Sequence, residues 1–115
     1  MKPALLDTNF ILTCVKQKID FFEEIPLMGM QIVIPKQVIN ELKNLKNSNS
    51  VLALKLLEKN KFKEVDIGKG HVDKKLIKFA KENSDAVVAT LDREIKKKVK
   101  NQKLVIRSKK KLEVV

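Results

Sequence analysis

Short apolar runs alternate with amphipathic segments along nearly the whole 115-residue chain, and this alternation limits the folds it can adopt. The predicted strands lie at about residues 3–7, 31–34, 63–67, 86–90, 104–107 and 112–115. The predicted helices lie at about residues 8–17, 19–28, 36–46, 49–60, 71–83 and 93–100. Strands that alternate with helices usually pair in parallel, because each crossover helix packs on a face of the sheet. The sequence therefore predicts an α/β sandwich with a mostly parallel central sheet and helices on both faces, in a single domain over residues 1–115.

The composition excludes several classes of protein. Apolar residues make up 43% of the chain, which is enough for a core and too many for a disordered tail. No apolar run reaches the roughly 18 residues that a membrane span requires, and Asp7 comes too early for a signal peptide. The single cysteine, Cys14, rules out an internal disulfide and fits a reducing compartment. We expect a cytoplasmic protein with no membrane association, in which Cys14 is a buried packing residue rather than a reactive thiol.

The net charge of +11 is concentrated near the carboxyl end of the chain. Residues 93–111 contain ten Lys or Arg residues and one acid, Glu94. A basic segment of this kind suits a polyanion, and a nucleic acid is the commonest polyanionic partner. The alternative interpretation is a solvated, solubilising surface with no binding role.

Asp73 is an acid in an unexpected position. On a helical wheel for residues 71–83 it falls between Ile77 and Ala80, within the apolar arc. An unpaired carboxylate there would be costly, so we expect it to meet a metal, another cation or several hydrogen-bond donors. A purely structural bond to a neighbouring backbone group is the alternative.

Three further acids follow predicted strands. Glu41 lies at the edge of the apolar stripe of the helix at 36–46, where a glutamate can also reach water on its own. Asp7 and Asp92 each end an apolar strand and precede a helix, so each is also a natural N-cap. Because parallel strands end at one edge of the sheet, the four acids can converge on one cleft. Clustered carboxylates need a cation, and hard oxygen ligands favour Mg²⁺ or Mn²⁺.

The chain resembles the PIN-domain nucleases over its whole length. The resemblance rests on residues 5–9 (Leu-Leu-Asp-Thr-Asn), residues 38–42 (Val-Ile-Asn-Glu-Leu), Asp73, and residues 89–93 (Ala-Thr-Leu-Asp-Arg). It implies a PIN-like sandwich and Mg²⁺- or Mn²⁺-dependent cleavage of RNA. Two subgroups are similar: the VapC-type toxins of toxin–antitoxin pairs, and the PIN endonucleases of ribosomal RNA processing, which residues 90–98 particularly resemble. Both subgroups are expected to act as endoribonucleases that hydrolyse phosphodiester bonds.

The resemblance also implies roles for individual residues. The family's acids fall on Asp7, Glu41, Asp73 and Asp92, and its small polar residues fall on Thr8, Asn9 and Thr90. We expect Asp7, Asp92 and Asp73 to bind metal directly, while Glu41 binds it through water or orients the attacking water. Thr8 and Thr90 would hold the ligand carboxylates, and Asn9 would contact a phosphate. The residues expected to bind the RNA backbone are Arg93, Lys96, Lys97, Lys98 and Lys100.

The histidine, one further acid and the aromatic residues are expected to lie outside the catalytic group. His71 is expected at an exposed helix start rather than in catalysis, and Asp85 is expected in a turn, with a place at the metal cleft as the alternative. Phe10, Phe62 and Phe79 fit core positions, so no aromatic platform for bases is expected, and sequence choice would come from RNA shape, from a partner, or hardly exist. The apolar stretch at residues 21–30 either covers the core or forms a surface for an antitoxin protein or for a homodimer. The alternative function is a non-catalytic, basic RNA-binding module, in which the acids have no reason to converge.

Overall fold

The structure is a computed structural model that describes residues 1–108 and 110–115. Its strands are β1 (Lys2–Leu6), β2 (Met30–Pro35), β3 (Lys63–Val65), β4 (Val87–Ala89), β5 (Lys103–Arg107) and β6 (Lys111–Val114). Its helices are α1 (Thr8–Lys16), α2 (Phe21–Leu27), α3 (Lys36–Leu45), α4 (Ser48–Lys59), α5 (Val72–Glu82) and α6 (Arg93–Lys98). Each predicted strand and helix is present, with ends that differ by a few residues.

The described strands form one sheet in the order β3-β2-β1-β4-β5-β6. All neighbouring pairs are parallel except β5 and β6, which are antiparallel. Leu5 of β1 pairs with Val33 of β2 on one side and with Val88 of β4 on the other. The predicted mostly parallel α/β architecture is confirmed.

Helices cover both faces of the sheet, and the buried part of β1 contributes apolar side chains to each face. Ala4 and Leu6 pack into a core formed with helices α1, α2, α3 and α4. Leu5, whose side chain points to the opposite face, packs with α5 and α6 through Leu76 and Ile95. A strand buried on both faces reads as a continuous apolar run, which is why the alternation typical of a half-exposed strand is absent here.

The order of the strands reverses at β1, whose two neighbours are β2 and β4. In open parallel sheets, a crevice forms outside the carboxyl ends of the strands at such a switch point. Leu6 pairs with Ala89 at the ends of β1 and β4, and the backbone N–H of Asp7 donates to the carbonyl of Ala89 at 3.0 Å. The residues that directly follow these two strands therefore lie side by side.

Cys14 is completely buried, whereas the apolar stretch at residues 21–30 is buried only in part. Cys14 is fully buried in α1, and burial raises the pKa of its thiol to about 12, so it is a packing residue as predicted. Phe21, Ile25 and Met30 are buried, whereas Leu27 is 79% exposed, so the stretch covers the core with only part of its apolar surface.

The phenylalanines predicted for the core are buried to different degrees. Phe10 is fully buried, while Phe62 and Phe79 are only partly buried against the core. His71 precedes α5 and Asp85 lies in a turn, and both are exposed. Within the described residues, no helix has the length and apolar character needed to cross a membrane.

Candidate active site

An open cleft of about 530 Å³ lies at the carboxyl ends of β1 and β4. It is lined by Asp7, Thr8, Asn9, Glu41, Asn44, Leu45, Asp73 and Asp92. All four acids that the sequence singled out therefore face one space, although they come from four separate elements. Asn44 and Leu45 were not predicted here, although Asn44 lies one helical turn beyond Glu41 on α3.

Asp7 is the buried member of the group. Its side chain is the N-cap of α1: Oδ1 accepts a hydrogen bond from the Thr8 N–H at 2.8 Å, and Oδ2 accepts one from the Thr90 hydroxyl at 2.8 Å. Burial raises the pKa of the Asp7 carboxyl, these two hydrogen bonds oppose the rise, and the nearby charges of Asp73 and Glu41 add to it. A cation beside Asp7 would reverse this effect, because it favours the ionised carboxylate.

Thr90 connects two of the acids. Its buried hydroxyl donates to Asp7 Oδ2 and accepts a hydrogen bond from the backbone N–H of Asp92 at 3.1 Å. The Asp92 side chain in turn caps α6, accepting from the N–H groups of Glu94 at 2.8 Å and Ile95 at 3.3 Å. The positions of Asp7 and Asp92 are therefore coupled through one hydroxyl group.

Thr8 also connects two of the acids, Asp7 and Glu41. Its backbone N–H bonds to Asp7, and its hydroxyl donates to Oε1 of Glu41 at 2.5 Å. Thr8 is buried, whereas Glu41 is exposed on α3. One threonine thus contacts two acids and fixes the side of the cleft on which the Glu41 carboxylate lies.

Asp73 differs from its prediction. It lies in the first turn of α5 and is exposed, although the helical wheel placed it within the apolar arc. The arc is fully buried only further along the helix, at Leu76 and Ala80, whereas Asp73 in the first turn lines the open cleft. The argument that burial forces Asp73 to find a partner is therefore wrong. Leu45, an apolar residue of α3 that lines the same cleft, is 46% exposed.

The donor set of the cleft has the chemistry that Mg²⁺ and Mn²⁺ prefer, since every acidic ligand offers oxygen. Among the residues that the structure describes, no three His, Cys, Asp or Glu side chains are gathered closely enough to hold a metal ion. The carboxylates of Asp7, Glu41 and Asp92 are instead engaged with hydroxyl or backbone N–H donors. The cleft therefore supplies suitable ligands but not a formed coordination shell.

The basic residues near the carboxyl end divide between two regions. Arg93 begins α6 directly beside Asp92 and is exposed. Lys98 and Lys100 instead line a separate cleft with Lys81, close to the residues that precede β4 and β5. The basic segment therefore does not form one continuous track at the acidic cleft. Lys97 is exposed, and Lys96 is half-buried.

Comparison with known proteins identifies the family. The chain belongs to the PIN-like domain family, whose sequence pattern matches residues 4–111. It is similar to Ribonuclease VapC4 of Methanocaldococcus jannaschii, with 32% identity over 121 aligned positions that cover 94% of this chain and 92% of VapC4. The structure of the PIN domain endonuclease Utp24 superposes with a TM-score of 0.79 at 24% identity, covering 98% of this chain and 95% of that one. The predicted family and fold are confirmed.

Proposed function

We propose that this protein is a Mg²⁺- or Mn²⁺-dependent endoribonuclease that hydrolyses phosphodiester bonds of RNA. The observation that carries the proposal is the convergence of Asp7, Glu41, Asp73 and Asp92 on one cleft at the switch point of the sheet. The family and the similarity to a protein named as a ribonuclease support the same chemistry.

Different residues of the cleft would bind the metal, orient the water and contact the RNA. Asp7, Asp73 and Asp92 would hold the metal, which would lower the pKa of a bound water and offset negative charge on the phosphate. Glu41 would bind the metal through water or orient the attacking water, and its hydrogen bond from Thr8 limits its rotation. Asn9 would contact a phosphate oxygen at the same cleft. Arg93, an exposed cation that directly follows Asp92, would hold the RNA backbone.

A toxin-like role is the form of this function that we favour. The similarity to VapC4 extends over nearly the full length of both chains, which supports a VapC-type ribonuclease with an antitoxin protein as partner. A role in ribosomal RNA processing is the second possibility within the same chemistry. The likeness to Utp24 supports only the fold, so it does not favour the second role over the first.

A non-catalytic RNA-binding module is the competing function. Its support is that Asp7 and Asp92 both act as N-caps, a role that explains each acid without a metal. This role does not explain why Glu41 and Asp73, which cap no helix, face the same cleft.

A metal-dependence experiment separates the two functions. Purified protein is incubated with structured and single-stranded RNA in EDTA, in millimolar Mg²⁺ and in millimolar Mn²⁺, and its melting temperature is measured in the same buffers. We expect cleavage only with metal, together with a higher melting temperature, because a ligand bound to the folded state stabilises it by about 2.7 kcal/mol at a hundred times its Kd. Asp85→Asn is the control, since Asp85 is exposed and lies outside the residues that line the cleft. RNA binding without cleavage, and no change in melting temperature with either metal, would support the non-catalytic module.

Thr90→Val tests whether a positioning residue holds the acids. The valine keeps the shape of Thr90 but leaves Asp7 Oδ2 and the Asp92 N–H without their shared partner. We expect cleavage to fall by about 10- to 100-fold, with a higher Mn²⁺ concentration for half-maximal activity and little change in KM for RNA. Thr90→Ser, which retains the hydroxyl, should restore most of the activity and the original Mn²⁺ dependence. An equal loss in both variants would contradict the positioning role.

A further inference from the structure

A second cleft, of about 350 Å³, opens directly beside the acidic one. The two clefts share Asn9 and Asp92 as a common wall. The rest of the second cleft is formed by Leu12, Thr13, Lys16, Asn49 and Leu91. A polymer whose phosphate lies at the acids can therefore continue into this space without leaving the surface.

One face of α1 runs along the second cleft from the acids to a lysine. Asn9, Thr13 and Lys16 are spaced four and three residues apart, so they lie on the same side of the helix. Lys16 lies seven residues after Asn9, so the two are about 10 Å apart along the helix axis. One extended nucleotide and the long lysine side chain together can span that separation, and Lys16 is exposed.

The second cleft combines apolar and polar groups. Leu12 and Leu91 are half-buried and offer an aliphatic surface on which the flat face of a base can pack. Thr13 and Asn49 are half-buried side chains that can bond to the polar edge of a base. The capping box of α4 is made by Asn47 and Ser50, so Asn49 is not used in that cap.

We propose that this second cleft binds one nucleotide of RNA, the neighbour of the nucleotide whose phosphate reacts at the acidic cleft. Its base packs against Leu12 and Leu91, its polar edge bonds to Thr13 and Asn49, and a phosphate pairs with Lys16. The inference rests on the proposed function, because it places the reacting phosphate at the acids. It gives the protein a base preference at one position, although no exposed aromatic platform is present among the described residues.

The test uses Lys16→Gln and Asn49→Ala, with Lys55→Gln as a matched control. Lys55 is an exposed lysine of α4 that lines neither cleft. Binding of short RNA oligonucleotides is measured against salt, and cleavage sites are mapped on a pool of random sequence. We expect Lys16→Gln to reduce the slope of log affinity against log salt by about 0.7, the value for one lost phosphate contact on a single strand. We expect Asn49→Ala to flatten the base preference beside the cleavage site, and Lys55→Gln to change neither property.

Two different results separate this inference from the proposed function. Equal salt slopes for Lys16→Gln and Lys55→Gln, with an unchanged base preference in Asn49→Ala, would overturn the nucleotide cleft even in an active nuclease. Protein that loses one phosphate contact in Lys16→Gln but cleaves no RNA with either metal would overturn the nuclease and retain the cleft. Melting temperatures of all three variants show whether they are folded.

Discussion

Asp7→Asn is expected to abolish RNA cleavage while leaving the fold and RNA binding intact. The substitution removes the charge of the one buried acid in the cleft and keeps its shape. A metal ion contributes several kcal/mol to the stabilisation of a transition state, and each 1.4 kcal/mol or so is a tenfold change in rate. Loss of a proposed metal ligand should therefore reduce cleavage by at least about a hundredfold. The measurement is single-turnover cleavage with the protein in saturating excess over the RNA and with saturating Mn²⁺.

The hydrogen bonds of Asp7 explain why the variant should still fold. An asparagine Oδ1 can accept from the Thr8 N–H as Asp7 does, and its Nδ2 can donate to the Thr90 oxygen. The asparagine also removes a charge that burial and two neighbouring acids disfavour. We therefore expect a melting temperature at or above that of the unaltered protein in metal-free buffer, and no further increase with Mn²⁺.

Asp20→Asn is the matched control for this experiment. Asp20 is also an N-cap, with a side chain that accepts from the Glu23 N–H at 3.2 Å, but it caps α2 away from the cleft. Asparagine and aspartate are similar N-caps, so both variants keep their caps and only one loses a residue of the cleft. Full activity in Asp7→Asn, with contaminating nuclease excluded, would remove Asp7 from the site.

The convergence of the acids could be predicted from sequence because it depends on local patterns and one general rule. Asp7 and Asp92 each follow an apolar strand, and parallel strands place the residues after them at one edge of the sheet. Their hydrogen bonds to Thr8 and Thr90 involve residues one or two positions away, or the adjacent strand. Local sequence patterns were therefore sufficient to predict that Asp7 and Asp92 lie at the same edge of the sheet.

The exposure of Asp73 and the cleft that each basic residue lines depend on tertiary packing, which local patterns in the sequence do not describe. The helical wheel placed Asp73 within the apolar arc of α5, yet its side chain is exposed in the first turn of the helix. Lys98 lies only six residues after Asp92, yet it lines a different cleft. The second cleft joins Thr13, Asn49 and Leu91 from distant parts of the chain, and no spacing in the sequence reveals it.

Asn101 is a further residue that no sequence motif identifies. It is only 6% exposed, and the two N–H donors of its Nδ2 are shared among the carbonyls of Ala80 at 3.0 Å, Asn83 at 3.0 Å and Ala86 at 2.9 Å. These carbonyls belong to the last turns of α5 and to the segment that leads into β4. One amide group thus joins the end of a helix and the start of a central strand to the segment before β5.

Asn101→Asp is expected to destabilise the fold strongly. It replaces the amide with an oxygen that faces three carbonyl oxygens in a buried position, so we expect a loss of about 3–5 kcal/mol in the free energy of unfolding when the carboxyl is ionised. Asn101→Ala, which leaves the carbonyls unpaired without adding a charge, should cost less, about 1–3 kcal/mol. Asn60→Asp is the control, because Asn60 Nδ2 donates to a single carbonyl, that of Leu56, at an exposed position.

The pH dependence of Asn101→Asp identifies the cause of its instability. Burial and the facing carbonyls should raise the pKa of the new carboxyl in the folded protein above its unfolded value of about 3.9. The folded state then binds the proton more tightly, so the variant should be closest to Asn101→Ala below the unfolded pKa and lose stability as pH rises through the folded pKa. Urea unfolding between about pH 3.5 and pH 7.5 measures this loss. A difference between the two variants that does not grow with pH would mean that the carbonyls turn away from residue 101 in the variant.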